Sequence, residues 1–357
     1  MSPRDELALP GPAAPDPPAG PDPEEVWADA ALAAALLAVD PGLGGALLRA
    51  RPGPARDAGC ALHAGLSPKA APLRRLPAAI SEDRLLGGLD LAATLSARRP
   101  VWSPGLLAEA DGGAVVLPMA ERAAPGLIAQ LGAALDHGQI RAERDGRAAV
   151  APARFAVVAL DEGAEPDERA PAALADRLAF RLVLDGLPRA AIPARPLDDA
   201  PASAEEIAEA RERLADMPSP PELAEAMVRA AEALGVDGLR APLLASRCAR
   251  AAAALLGAEA PGEIEAALAA RLVLSPRATR LPAPPPEETA EQEQTPPPEP
   301  PQETDDAPEA ETPPSETRDA ALEDKVLEAA AAALPPDLLA RLAAEATRRP
   351  AAQSGAG

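Results

Sequence analysis

Two stretches of this 357-residue chain have the layout of phosphate chemistry without the residues that perform it. Gly44 to Ala50 reads as a short apolar strand, followed by the loop RPGPARDAG (residues 51–59) and the weakly helical CALHAGL. A strand, a glycine loop and a helix can wrap a phosphate in backbone N–H groups when the loop carries GxxxxGK[ST]. The lysine then neutralises the phosphates and the hydroxyl takes Mg²⁺. Here Pro52 and Pro54 remove two N–H donors on either side of Gly53, and no Gly-Lys-Ser/Thr occurs. Arg51 and Arg56 are the cations that remain, and solvated surface arginines are their plainer reading. The second stretch is Ala114 to Leu117, apolar after Gly112-Gly113, the pattern of a strand buried on both faces. A hydrolytic site would end such a strand in an acidic pair that holds Mg²⁺ and a water. This strand ends in Pro118-Met119, and neither side chain can ligate a hard cation or act as a base.

The other reactive residue types are scattered. His63 and His137 have no second histidine or acid at ligand spacing, so no metal site is expected. Cys60 and Cys248 form neither a CxxC nor a disulfide framework. Cys248 lies on an apolar helix face, where a small buried hydrophobe is the default. Asp161 and Glu162 are acids, but they follow a different strand from the one that would carry a hydrolytic pair.

Composition narrows the class. Asp plus Glu number 56 against 34 Lys plus Arg, a net charge of −22, which argues against non-specific binding to nucleic acid or an anionic membrane. Residues 281–317 hold 11 acids and no base, so half of that charge sits in a tenth of the chain and the rest is an ordinary mixed surface. With two Trp, two Phe and no Tyr, the core must be built from Ala, Leu and Val. The first 25 residues are Pro-rich and acidic without an apolar segment, and no 18-residue apolar run is free of charge or Pro. A protein of the reducing cytoplasm, without a membrane span, is the expectation.

The elements that would position these residues alternate. A helix is expected from Glu24 to about Val39, with Trp27, Leu32, Leu36 and Leu37 inward and Asp40-Pro41-Gly42 as its stop. Ala71–Leu76 is a second strand. Ser81 caps a helix whose apolar positions are Leu85, Leu86, Leu89, Leu91 and Leu95. PGLLAEA is a short helix, and Pro125 to Asp136 an amphipathic one. QIRAER and RAAVAP, joined by Asp145-Gly146, read as a β-hairpin. FAVVAL (155–160) is another buried strand, 171–180 a helix, and 180–184 a last strand. Strands alternating with helices imply a parallel sheet covered on both faces. Residues 203–217, 220–234, 239–257 and 261–274 are four helices of a smaller unit. The Pro/Glu/Thr tract 281–318 cannot bury enough apolar surface to offset ordering its backbone, and it reads as an extended spacer. Residues 319–346 are helical again, broken at Pro335-Pro336. The expected division is a disordered tail 1–25, an α/β domain 26–190, a helical domain 200–277, the acidic linker, the helical segment 319–346 and a tail 347–357.

In order and spacing, 28–350 resembles the N-terminal part of the magnesium chelatase D subunit of bacteriochlorophyll biosynthesis. The segments that carry the resemblance are ISEDRLLGGLDLAATL, PGLLAEADGGAVVL, ERDGRAAVAPARFAVVALDEG, ALADRLAF and LRAPLLASRCARAAAALLGA, followed by the Pro-rich acidic linker. The resemblance implies an AAA+-like α/β fold with a hairpin insertion and a small α-helical lid, similar to the catalytic I subunit but with decayed motifs. The Walker A position falls on the loop from Arg51 to Asp57 with Gly53, the Walker B acids fall on Pro118 and Met119, and the sensor-1 amide falls near Asp161. The Asp-Arg of the family's LLDRF segment matches Asp176-Arg177, an arginine that would reach a γ-phosphate held by a neighbouring subunit. The Arg of the LRG segment matches Arg240, and Arg84 is a third interface candidate. Each has a plainer alternative: a helix-capping arginine for Arg177, an interdomain salt bridge for Arg240, a solvated helix face for Arg84.

The implied role is a non-hydrolysing subunit in a ring with the active I subunit. That complex inserts Mg²⁺ into protoporphyrin IX on a large H subunit, with ATP and Mg²⁺ at the interface and none bound tightly by this chain. The family's C-terminal integrin-I-like domain, with its metal-binding DxSxS, has no counterpart here, so the expectation is either a truncated or fragmentary chain or a remaining domain encoded elsewhere. Two other readings stay open: an active AAA+ ATPase of another type, and a scaffold with no nucleotide role.

Overall fold

In a computed structural model the described residues are 21–67, 71–144, 147–165, 167–281 and 315–332. Residues 1–20 of the expected tail 1–25, the Asp145-Gly146 turn, most of the acidic linker, the break at Pro335-Pro336 and the tail 347–357 lie outside them, while Pro23, Glu24 and Glu25 of that expected tail belong to the first helix.

Helix α1 (Pro23–Val39) begins where the sequence supplies both Pro at the first turn and Asp22, whose carboxylate accepts from Glu24 N at 3.0 Å. Trp27, Leu36 and Leu37 are buried as expected, and Leu32 is half-buried. Asp40 then caps a turn at Pro41–Leu43 and leads into β1 (Gly45–Arg49). Helix α2 (Pro54–Leu66) starts six residues earlier than the weak segment CALHAGL suggests. Pro54 sits at its first turn, where a missing N–H is harmless, so the expected nine-residue loop shrinks to Arg51-Pro52-Gly53.

Strand β2 (Leu73–Arg75) follows. The expected single helix over Leu85–Leu95 is broken. Glu82–Leu86 is α3, Gly87–Leu89 is the strand β3, and Leu91–Ala97 is α4. Gly87 and Gly88 end the first helix, and β3 pairs antiparallel with β4 (Trp102–Pro104). Leu95 is left 79% exposed, so the leucine spacing does not report one buried face.

Helix α5 (Leu106–Glu109), strand β5 (Ala114–Leu117) and helix α6 (Pro125–His137) match their expectations. So do the antiparallel pair β6 (Gln139–Arg144) and β7 (Arg147–Pro152), and strand β8 (Ala156–Asp161). The helix expected over 171–180 is only α7 (Ala172–Ala175), because the chain must turn into β9 (Phe180–Val183).

The main sheet has the order β2-β5-β8-β1-β9, every neighbour parallel. Its central strand β8 is buried at all six positions, which is why FAVVAL is apolar without alternation. Alternate residues still serve opposite faces. Val158 and Leu160 join the core that contains α1, α2 and the helical unit, whereas Val157 and Ala159 join the core beneath α3, α5 and α6.

The helical unit is α8 (Ala204–Asp216), α9 (Pro221–Ala233), α10 (Arg240–Leu256) and α11 (Glu263–Ala269), the last running on as a wider turn through Leu274. Ser203 and Glu206 form a reciprocal capping box on α8. Helix α12 (Ser315–Ala332) begins inside the stretch expected as linker and returns to this unit. Val326 and Ala330 are buried in its core, Lys325 pairs with Glu263, and Ser275 Oγ donates to Ala330 O at 2.6 Å. No helix among the described residues is long and apolar enough to cross a membrane.

Candidate functional site

The C-terminal ends of parallel strands are where an open α/β sheet offers a crevice. At the ends of β1 and β9 lies a cavity of about 420 Å³, walled by Arg51 to Ala55 from one side and by Asp185, Arg189 and Ile192 from the other. The resemblance puts the Walker A position on the Arg51 side of this cavity. Arg51 Nε bonds both oxygens of Asp185, at 3.0 and 3.1 Å, on the exposed rim. Arg56 bonds Asp57 at 2.8 Å and Glu162 at 3.2 Å. Gly53 has an extended backbone (φ 163°).

Beside this cavity, Arg49 and Asp161 close the ends of β1 and β8 on each other. Arg49 Nη1 reaches Asp161 Oδ1 and Oδ2 at 3.1 and 3.2 Å and Glu168 O at 2.9 Å, and its Nη2 reaches Gly163 O and Glu165 O. Asp161, 3% exposed, also accepts from Gly163 N and Ala170 N. Where the resemblance puts the sensor-1 amide, Asp161 is thus tied into an ion pair with Arg49. At the end of β5, Pro118 is buried and Met119 is exposed in the left-handed region (φ 49°). The nearby Glu121 side chain accepts from Glu162 N at 3.0 Å.

These residues do not fit a bound Mg·ATP. Pro54 lacks an N–H, no lysine among the described residues lines the cavity, and the carboxylates nearest it are held by Arg49, Arg51 and Arg56. Among the described residues no group of three or more His, Cys, Asp and Glu is arranged to hold a metal ion.

A different constellation forms where α6, α7 and α10 meet. Arg177 lies along α6 and offers its side edge to Asp136: Nε at 3.1 and 3.0 Å from the two oxygens, Nη2 at 2.6 Å. Its Nη1 donates to Ala173 O at 2.8 Å. Arg240, at the start of α10, reaches the same carboxylate with Nη1 at 2.9 Å and Asp176 with Nε at 2.9 Å. Both plainer alternatives are thus realised, since Arg177 caps α7 and Arg240 bridges the two units. They are realised at one spot, which brings two of the candidate arginines together. Burial alone would raise the Asp136 carboxyl, but the hydrogen bonds and charges of Arg177 and Arg240 outweigh it and hold the group below its usual range.

The backbone beneath is fixed from both sides. Gly44 (φ 78°) passes so close that a Cβ there would lie 2.1 Å from Arg177 O. Buried Arg277 donates to Leu178 O and to Ala179 O. Arg84 is exposed on α3, and no hydrogen bond or ion pair joins it to this group. Asp136 and Gly132 carried no signal of their own in the sequence, because their contacts span 41 and more residues and no motif marks them.

The remaining candidates are structural. His63 is buried on α2, and burial pushes it down to about 4. His137 Nδ1 lies 2.8 Å from Ala133 O at the end of α6. Burial pushes both the Cys60 and Cys248 thiols up, away from the thiolate a nucleophile needs.

Residues 224–300 match the family described as the AAA lid domain. The magnesium-chelatase 60 kDa subunit of Cereibacter sphaeroides is 43% identical over 338 residues, covering 93% of this chain and 54% of the relative. The magnesium-chelatase 38 kDa subunit of Rhodobacter capsulatus is 31% identical over 318 residues, covering 75% of this chain and 90% of the relative. A Cytophaga hutchinsonii protein described as an ATPase has a crystal structure that matches at a TM-score of 0.52 and 14% identity, over 71% of this chain and 85% of that one, a likeness of fold. The chain spans about half the length of the 60 kDa relative.

Proposed function

This chain belongs to the magnesium-chelatase subunit family, and we propose that within it the chain is a non-hydrolysing AAA+ subunit. It serves as a platform for an active ATPase subunit like the 38 kDa relative and offers Arg177, with Arg240 beside it, to nucleotide held by that neighbour. The observation that carries this is the contrast within one fold. The strand-end site lacks a lysine and an acidic pair, and its charges are tied to one another, while Arg177 and Arg240 converge at the edge of the sheet domain. Those guanidinium groups suit phosphate oxygens, since each keeps N–H groups beyond those its own acids take.

In the assembled enzyme the neighbour's ATP and Mg²⁺ supply the free energy, and the substrate Mg²⁺ enters protoporphyrin IX on a third, large subunit. This chain's part is to hold Arg177 and Arg240 in place and to shape the interface of a cytoplasmic ring. The purified chain with Mg·ATP is expected to release no phosphate. Added to the 38 kDa-type subunit, it should change that subunit's ATP turnover, and Arg177→Ala should abolish the change. Steady phosphate release by the chain alone would overturn the reading.

A scaffold with no nucleotide role is the second reading. It is favoured by the fact that Arg177 and Arg240 are each paired with acids of this same chain. Under it, Arg177→Ala leaves the partner's ATP turnover untouched.

A further inference from the structure

We propose that Asp136 and Gly132, one turn apart on α6, form a seat that positions Arg177 and Arg240 as a single paired phosphate-contacting group. This rests on the reading that these arginines face a partner's nucleotide. Asp136 lies in the last turn of α6, where the helix dipole disfavours an anion. Two guanidinium groups from separate parts of the chain offset that cost, and the carboxylate in turn fixes both of them to one point.

The way they are held leaves their outer edges available. Arg177 gives Asp136 the Nε–Nη2 side and Ala173 O one Nη1 hydrogen, so of five N–H groups one on each terminal nitrogen stays open. Arg240 uses Nε and one Nη1 hydrogen, and its Nη2 group is turned to neither acid. Asp136 therefore orients the pair without occupying its tips.

Gly132 supplies the floor of the seat. A Cβ there would lie 3.0 Å from Arg177 Nε and 3.2 Å from Cζ, so any larger residue would push the guanidinium off its place by a few tenths of an ångström. Gly132 has ordinary helical conformation and lies on the same helix face as Asp136, so backbone geometry gives no reason for glycine. In a helix interior it costs about 1 kcal/mol relative to alanine.

The test uses the complex of this chain with the 38 kDa-type ATPase subunit and measures kcat and KM for ATP. Asp136→Asn is expected to lower kcat/KM on the order of tenfold to a hundredfold, as a displaced positioning group does, with Asp136→Glu recovering part of the loss. Gly132→Ala should lower it severalfold while the melting temperature of this chain holds or rises. In an Arg177→Ala/Arg240→Ala background, Asp136→Asn should add no further loss.

Unchanged kcat/KM in both Asp136→Asn and Gly132→Ala would overturn the seat. Higher turnover in Asp136→Asn would overturn it in favour of a latch that withholds the arginines. A loss from Asp136→Asn that persists in the double background would mark a merely structural role. If Arg177→Ala itself has no effect, the proposed function falls and the seat falls with it. If Arg177→Ala is severe and the seat variants are silent, only the seat falls.

Discussion

The Arg49–Asp161 cluster and the Arg177–Asp136–Arg240 cluster differ in what is left over. At the strand ends, Arg49 gives both terminal nitrogens to Asp161 and to three carbonyls of the following loop, so that guanidinium is part of the frame. At the junction of α6, α7 and α10, Arg177 and Arg240 share Asp136 but keep outward N–H groups. The first cluster neutralises its charge within the frame. The second holds two cations on one carboxylate. What separates the two is how many of the five donors are taken within the chain, four on Arg49 against three on Arg177.

The largest effect that could break this comparison is expected at Arg177. In the mixed complex, Arg177→Ala should reduce the partner-dependent ATP turnover by about three orders of magnitude, the lower end of what a trans-acting arginine supplies. Phosphate release with saturating Mg·ATP measures it. Turnover within twofold of wild type would make the two clusters equivalent.

The strand-end cluster should fail differently. Asp161→Asn leaves Arg49 without its carboxylate in a mostly buried place, and a loss of about 3 kcal/mol in denaturant unfolding is expected. ATP turnover per folded complex should be unchanged. A catalytic defect without a stability defect would mean that Asp161 has a nucleotide role after all.

His63 offers a pH-dependent measure of how tightly the α2 side of the core is closed. Its folded value of about 4 lies below the ordinary 6.5, so the unfolded chain binds a proton first as pH falls. The stability it permits is complete above about pH 6.5 and declines toward pH 4, by roughly 3 kcal/mol. His63→Leu should flatten that part of the stability–pH curve, and identical curves for the two proteins would refute a dry, uncharged His63. The smallest effect is expected at Arg51. Its pair with Asp185 is on the rim, so Arg51→Ala should change stability by less than about 1 kcal/mol and leave turnover alone.

Much of the frame was legible because local chemistry and tertiary demand agree. FAVVAL is apolar throughout and became the central strand, and the helix expected over 203–217 forms as α8. The stretch Leu85–Leu95 was misread because leucine spacing alone cannot distinguish one amphipathic helix from two short ones. Gly87 and Gly88 turn the chain into a strand whose partner, around Trp102, is set by non-local pairing. Residues 171–180 could not reveal that their helix must stop after one turn so that Phe180 can enter the sheet beside β1.

For the site, the sequence by itself determined what is absent. No lysine can be folded into a loop that has none, and Pro118-Met119 cannot become an acidic pair in any conformation. It also supplied Arg177 and Arg240, through their segments, as arginines to watch. That the two share one carboxylate, that it is Asp136, and that Gly132 leaves room beneath it follow from the packing alone. The physical reason is range: what a residue can do chemically is a property of its own atoms. Which donors remain free is fixed by partners 41 and 104 positions away, brought near by the packing of two separate units.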